Sequence, residues 1–162
     1  MQLYRTLRKG VGDDTVLLGC NTIGHLGAGI FEVQRIGDDT SGRDWERTRK
    51  MGVNTLAFRL SQHDTFFAAD ADCAAHTPAT PWDKDRQFLD LIARSGTPLF
   101  ISVDPTTISE EKRAAFQQAV RHALDGGDFA KGVEPVDWFS NTTPEHWRFG
   151  NDDVHYDLSL IH

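Results

Sequence analysis

An α/β fold of about three βα units, followed by a short β-rich or irregular tail, is what this sequence predicts. Apolar runs of strand length at residues 15–20, 53–60 and 97–104 are each followed by a loop and then by a segment whose apolar residues recur with helical spacing. The loops after the strands are long and those after the helices short, the asymmetry of right-handed parallel βαβ units. The repeat is that of a partial (β/α)8 barrel, because 162 residues fall short of the roughly 200 to 250 that a closed barrel usually needs. Residues 1–125 hold this repeat, and residues 126–162 form the tail.

Leu3, Leu7 and Val11 share one helical face and glycines follow, so residues 2–9 read as the end of a helix. Residues 15–20 are a continuous apolar run between turn residues, the pattern of a strand buried on both faces of a parallel sheet. Residues 21–39 form a glycine-rich connection that ends in Arg35-Ile36-Gly37-Asp38-Asp39. Ser41 with Asp44 resembles a capping box and predicts a helix over about 42–51, ended by Gly52. Residues 53–60, rich in Val, Leu and Phe, read as the second strand, and residues 61–79 as a long polar loop.

Thr80-Pro81 opens the next helix, with Phe88, Leu91 and Ile92 on its inner face and Ser95-Gly96 at its end. Residues 97–104 form the third strand, with Pro98 at its start, where a missing donor is tolerated. Ser109 caps a last helix carrying Phe116, Ala119, Val120, Ala123 and Leu124 as a stripe, with Glu110 and Glu111 at the positive end of its dipole and Gly126-Gly127 at its end. Beyond it, Trp138, Phe139, Trp147, Phe149 and Tyr156 are scattered among turn residues, and residues 158–162 are apolar and strand-like.

A net charge of -7 argues against nucleic acid as a partner, since phosphate backbones are held by clustered Lys and Arg. No apolar run approaches membrane-spanning length, so no membrane is expected. Cys20 and Cys73 form neither a CxxC pair nor a disulfide framework and read as free thiols of a reducing compartment, and no signal-peptide pattern opens the sequence. The expected localisation is cytoplasmic.

The chemistry-bearing residues fall after the strands. Arg35 and Asp39 lie four apart in a loop that should open at one end of the sheet, where a carboxyl can exchange protons beside a guanidinium that binds a hydroxyl or an anion. The same spacing suits a salt-bridged loop that caps the following helix. Asp70, Asp72 and His76 form a second polar cluster, fit for hydroxyls or for a hard cation such as Mg²⁺. Asp104 either serves a site or caps the turn into Pro105. Cys20 and Asn21 end the first strand, with a small buried thiol as the plainer reading of Cys20. His25, His63 and His122 have no evident partner.

Taken in order, Leu17-Leu18-Gly19-Cys20-Asn21, Arg35-Ile36-Gly37-Asp38-Asp39 with Trp45, Ala69-Asp70-Ala71-Asp72 and the segment 97–104 resemble the second half of the α-galactosidase-type TIM barrel of glycoside hydrolase families 27 and 36. The resemblance covers about residues 1–125 and places them at the sixth to eighth barrel strands, with the tail similar to the linker and start of a β-sandwich. It implies hydrolysis of terminal α-galactosides by a retaining mechanism, without a cofactor or a metal. Asp39 would be the general acid/base, with Asp38 as its rival, and Arg35, Cys20, Asn21, Asp70 and Asp72 would bind the sugar. The family's Asn-Asp-Pro-Asp pattern stands here as Ala69-Asp70-Ala71-Asp72, which gives these acids a supporting role, and Asn21 in place of an acid leaves the sugar open.

A retaining glycosidase needs two carboxyl groups about 5 Å apart. The family takes its nucleophile from a Lys-x-Asp motif that the matched region lacks, and Lys84-Asp85 falls at a helix start. The chain is therefore expected to be a fragment, inactive alone. The alternatives are a carbohydrate-binding or assembly module whose open sheet edges pair with a second copy or a complementing chain, and a metal-dependent hydrolase using Asp70, Asp72 and His76.

Overall fold

The computed structural model describes residues 2–160. Three short strands, β1 (Leu18–Gly19), β2 (Val33–Arg35) and β3 (Ala68–Asp70), form a parallel sheet in that order. β4 (Cys73–His76) and β5 (Phe100–Val103) form a separate parallel pair, and β6 (Val133–Pro135), β7 (His146–Phe149) and β8 (Asp152–His155) an antiparallel meander. The helices are α1 (Gln2–Val11), α2 (Gly24–Gly27), α3 (Trp45–Thr48), α4 (Thr55–Arg59), α5 (Trp82–Ser95) and α6 (Glu110–Leu124), with a π-helical stretch Arg49–Asn54 joining α3 to α4. None of the helices among the described residues is long and apolar enough to cross a membrane.

The expected partial TIM barrel is corrected by this arrangement. The chain is a small mixed α/β domain with three small sheets and no barrel closure. Residues 53–60, expected to be a strand, are helical, because Val53, Leu56, Ala57 and Leu60 fall at helical spacing and all four are buried, while Phe58 between them is exposed. Their Val and Phe content imitated a strand.

The two strands that follow that helix come instead from segments with weak β propensity, Ala68-Ala69-Asp70 and Cys73-Ala74-Ala75-His76. They are extended because small side chains fit where both faces are covered; Ala69, Ala71 and Ala74 are almost wholly buried. Between them Asp72 takes a left-handed backbone, φ 69°, so the chain leaves the pairing with β2 and begins the pairing with β5. That break divides the parallel strands into two sheets.

Several helix boundaries follow local chemistry. The carboxylate of Asp44, rather than Ser41, caps α3 by accepting the Arg47 N–H at 3.2 Å. Ser109 caps α6 through the Lys112 N–H, and Gly96 ends α5 with φ 74°, a conformation a side chain would resist. α5 is the centre of the core: Phe88, Leu91 and Ile92 are fully buried, each contributing about 1.5–3 kcal/mol by burial. The tail shares that core. Trp147, Phe149, Tyr156 and Leu158 pack into the same cluster, Tyr156 Oη donates to Asp90 at 2.7 Å, and Arg94 lies 4.1 Å over the Phe149 ring. Residues 158–160 are not extended as a paired strand, and residues 161–162 lie outside the described residues.

The loop after β2 is pressed onto the α3–α4 segment. A Cβ at Gly37 would sit 1.9 Å from the Met51 carbonyl oxygen, a backbone atom that cannot swing aside. Gly37→Ala is expected to lower stability by about 2 kcal/mol or more, since relief requires a backbone shift. Urea unfolding followed by far-UV circular dichroism measures it, and a midpoint equal to that of the unsubstituted chain contradicts the packing described.

Candidate functional site

The polar residues singled out in the sequence collect where β1, β2 and β3 end. Gln34, in the middle of β2 and 1 % exposed, holds the neighbouring strand end: its Nε2 donates to the Gly19 and Arg35 carbonyls, both at 2.9 Å, while its Oε1 accepts from Thr22 at 2.8 Å. β2 and β3 run in register, Arg35 opposite Asp70. The guanidinium of Arg35 and the carboxylate of Asp70 therefore emerge side by side.

Arg35 is the hub. Its Nε donates to Asp70 Oδ2 at 3.0 Å, its Nη2 meets Asp72 Oδ1 at 2.7 Å, and its Nη1 reaches Asp39 Oδ1 at 3.3 Å. The Asp70 side chain has no exposure and that of Asp72 only 6 %, against 73 % for Asp39. Burial works against the Arg35 charge, but the Asp70 and Asp72 carboxylates, with Cys20 adding to them, hold its pKa above the ordinary value. The remaining lone pairs are used locally. Asp70 Oδ1 accepts the Asp72 N–H at 2.8 Å, and Asp72 Oδ2 accepts the Thr40 N–H at 2.6 Å. The left-handed turn at Asp72 is what lets two acids so close in sequence reach the same cation.

The candidate acids separate clearly. Asp38 is turned to the Arg47 guanidinium and accepts the Asp39 N–H at 2.8 Å, and that backbone donor, followed by Arg47, holds its pKa below the ordinary carboxylate value. Asp39 is free of such ties apart from its long contact with Arg35. Cys20 and Asn21 are both exposed at the end of β1, so the buried-thiol reading of Cys20 does not hold; Asn21 has a left-handed backbone, φ 53°. Cys73 is half-buried next to Asp72, and its thiol is pushed up to about 11 by burial and by that carboxylate. One guanidinium faces three carboxylates, so the cluster is net negative. It suits hydroxyl groups better than phosphate or sulfate.

A second buried cluster went unrecognised in the sequence. His76, ending β4, has Nδ1 2.7 Å from Asp85 Oδ2 and Nε2 2.8 Å from Lys112 Nζ. An ammonium can only donate, so Nε2 carries the lone pair and Nδ1–H donates to Asp85. Burial raises the Asp85 pKa, opposed by its hydrogen bonds from Thr80 and His76. This chain links α5, β4 and α6. The Lys84-Asp85 run gave no hint of it, because the partners lie 9 and 27 residues away in sequence.

Asp70 and Asp72 face Arg35 while His76 faces Asp85 and Lys112, so the three do not converge, and among the described residues no group of three or more His, Cys, Asp or Glu side chains is placed to hold a metal ion. Asp104 caps a short turn, its Oδ1 accepting from the Thr106 N–H and hydroxyl at 2.9 and 2.7 Å. His63 Nδ1 accepts the Ala69 N–H at 3.1 Å and supports β3. No protein-family model matches the chain, and no curated protein matches it.

Arg35→Ala leaves Asp70 and Asp72 buried without their cation and is expected to cost about 3–5 kcal/mol. A thermal or urea midpoint close to that of the unsubstituted chain would contradict the hub role. The thiols give a second check: at pH 8 iodoacetamide is expected to alkylate Cys20 and spare Cys73, whose reactivity rises only as the pH approaches about 11. Peptide mapping by mass spectrometry distinguishes the two sites.

Proposed function

We propose that the Arg35–Asp39 cluster is a carbohydrate site of the α-galactosidase type, taking the terminal sugar of a galactose-containing oligosaccharide or glycoside. The observation that carries this reading is the state of Arg35. Its guanidinium is held from behind by two buried carboxylates and directed toward an exposed carboxyl at the ends of parallel strands. A fork fixed in this way offers its remaining N–H groups to sugar hydroxyls at little entropic cost, and the net negative surroundings accept hydroxyl hydrogens. Asp39, exposed and next to the fork, is the group placed to protonate a glycosidic oxygen. The ordered motifs that resemble glycoside hydrolase families 27 and 36 support the same assignment.

The geometry favours binding over turnover. Retaining hydrolysis needs a second carboxyl about 5 Å from the first, across the sugar. Asp70 and Asp72 are engaged by Arg35, and Asp38 by Arg47, so none of the three is free to attack the anomeric carbon. In this reading the cluster supplies sugar contacts and the general acid, and a nucleophile has to come from outside it.

Calorimetric titration of the chain with methyl α-galactoside is expected to show binding. Arg35→Lys, which keeps the charge but removes the fork, is expected to weaken it by about ten-fold or more. Asp39→Asn, which retains hydrogen bonding, is expected to change it by less than about three-fold. With an aryl α-galactoside the chain is expected to release little or no aglycone. If no binding is detected to the unsubstituted chain, the carbohydrate assignment fails; if rapid turnover disappears in Asp39→Asn, the outside nucleophile is wrong.

A further inference from the structure

α6 is weakly anchored. It buries Ala119 and leaves Phe116 and Ala123 only partly buried, whereas α5 beside it sets Phe88, Leu89, Leu91 and Ile92 into the core. An open cavity of about 560 Å³ is lined by both helices, with Leu89 and Ala93 from α5, Ala115 and Ala119 from α6, and Tyr156 from the tail. A helix held by so little apolar surface relies on its polar ties, and such elements open locally at low cost. The first turn of α6 is tied through Lys112. Its Nζ donates to His76 Nε2 at 2.8 Å and to the Thr107 carbonyl at 3.0 Å, and it lies 5.6 Å over the Trp82 ring. Thr107 belongs to the connection that leads into α6, so the hydrogen bond to His76 is what joins this turn to β4.

That bond requires a lone pair on Nε2. A proton there removes the acceptor and sets two cations 2.8 Å apart. The groups around the imidazole decide which cation yields. α5 presents Asp85, 2.7 Å from Nδ1, with the Thr80 hydroxyl on the same oxygen and Asp83 acting on Asp85 from further out. Beyond β5, Asp104 donates its N–H to the His76 carbonyl at 3.0 Å, and its carboxylate feels the imidazole charge. The loop before α3 meets the His76 backbone at Gly42, which carries no charge. α6 presents Lys112. The carboxylates therefore retain an imidazolium, and the cation displaced is Lys112, with the turn that carries it. We infer that Asp85–His76–Lys112 is a proton-operated latch: closed while the imidazole is neutral, so that the first turn of α6 is held to β4, and released when Nε2 takes up a proton, in the range of about pH 5 to 8 where histidine works as a switch. Release frees the α6 side of the interhelical cavity and loosens the contact of Phe116 with Trp82, whose ring centres are 5.5 Å apart. The latch does not depend on the carbohydrate reading of Arg35.

Hydrogen–deuterium exchange of the full chain tests the latch, read by mass spectrometry and expressed as protection relative to the unstructured rate at each pH. Between about pH 7.5 and about pH 5.5 the protection of residues 110–116 is expected to fall about ten-fold, while that of α5 holds within about two-fold. Lys112→Met keeps the stem and removes the ammonium, and its α6 protection is expected to be equal at the two pH values. His76→Gln offers an acceptor that does not titrate and is expected to behave in the same way. Lys112 is half-buried, so Lys112→Met reports on the latch even if His76→Gln, at a buried position, fails to fold. Equal α6 protection at both pH values in the unsubstituted chain overturns the latch. A fall that persists in either folded variant overturns it as well, since the proton then acts elsewhere, as on His122 of the same helix. An equal loss of protection in α5 makes the event global unfolding and overturns it too.

Discussion

The ion-pair cluster of Arg35 with Asp70 and Asp72 is the constraint on which the rest of this structure depends. Two carboxylates with almost no exposure would be costly to bury alone, and a single guanidinium from the adjacent strand makes their burial possible. The arrangement requires β2 and β3 to be in register, so that Arg35 and Asp70 emerge together, and it requires the left-handed turn at Asp72 that ends pairing with β2. That turn in turn sends the chain into β4 and its pairing with β5. One electrostatic cluster therefore sets the division of the parallel strands into two sheets and leaves Asp39 exposed beside its guanidinium.

Around this cluster the packing is conventional. α5 contributes the centre of the core, and the meander of the tail covers it with Trp147 and Phe149, tied down by Tyr156 to Asp90 and by Arg94 over the Phe149 ring. The chain Asp85–His76–Lys112 joins α5 to α6 through the end of β4, with the imidazole held in one tautomer by its two partners. These contacts leave two surfaces with unused chemistry. One is polar and net negative at the carboxyl ends of the strands, and the other is the group of aromatic rings where Phe58 of α4 meets Trp138 of the tail.

Much of the helical structure was legible. The cap at Ser109, the glycine end at Gly96 and the buried stripe of Phe88, Leu91 and Ile92 all depend on neighbours within a few residues, and each appears where its local chemistry placed it. The strands were harder to read. Val53, Leu56, Ala57 and Leu60 had helical spacing all along, but a segment rich in Val, Leu and Phe also satisfies the composition of a strand. β3 and β4 are built largely from alanine, which has no preference for extended backbone and becomes extended only because the space on both sides is narrow. The expectation of a barrel segment rested on a strand at 53–60 that is helical and on an even repeat that the break at Asp72 interrupts, although the expected strands at 15–20 and 97–104 do contain β1 and β5.

The sequence by itself determined which residues could carry chemistry. Arg35, Asp39, Asp70 and Asp72 stand out as charged residues beside apolar runs, and their order supports the proposed carbohydrate reading. Their division of labour was decided by tertiary structure alone. Burial, which depends on residues far away in the chain, turned Asp70 and Asp72 into supports for a cation and left Asp39 in solvent; Arg47, on the following helix, drew Asp38 out of contention. The tautomer of His76 and the meeting of Phe58 with Trp138, 80 residues later, are likewise products of packing. Local sequence specifies a side chain's capabilities, but dielectric surroundings and partners are set by the folded chain as a whole.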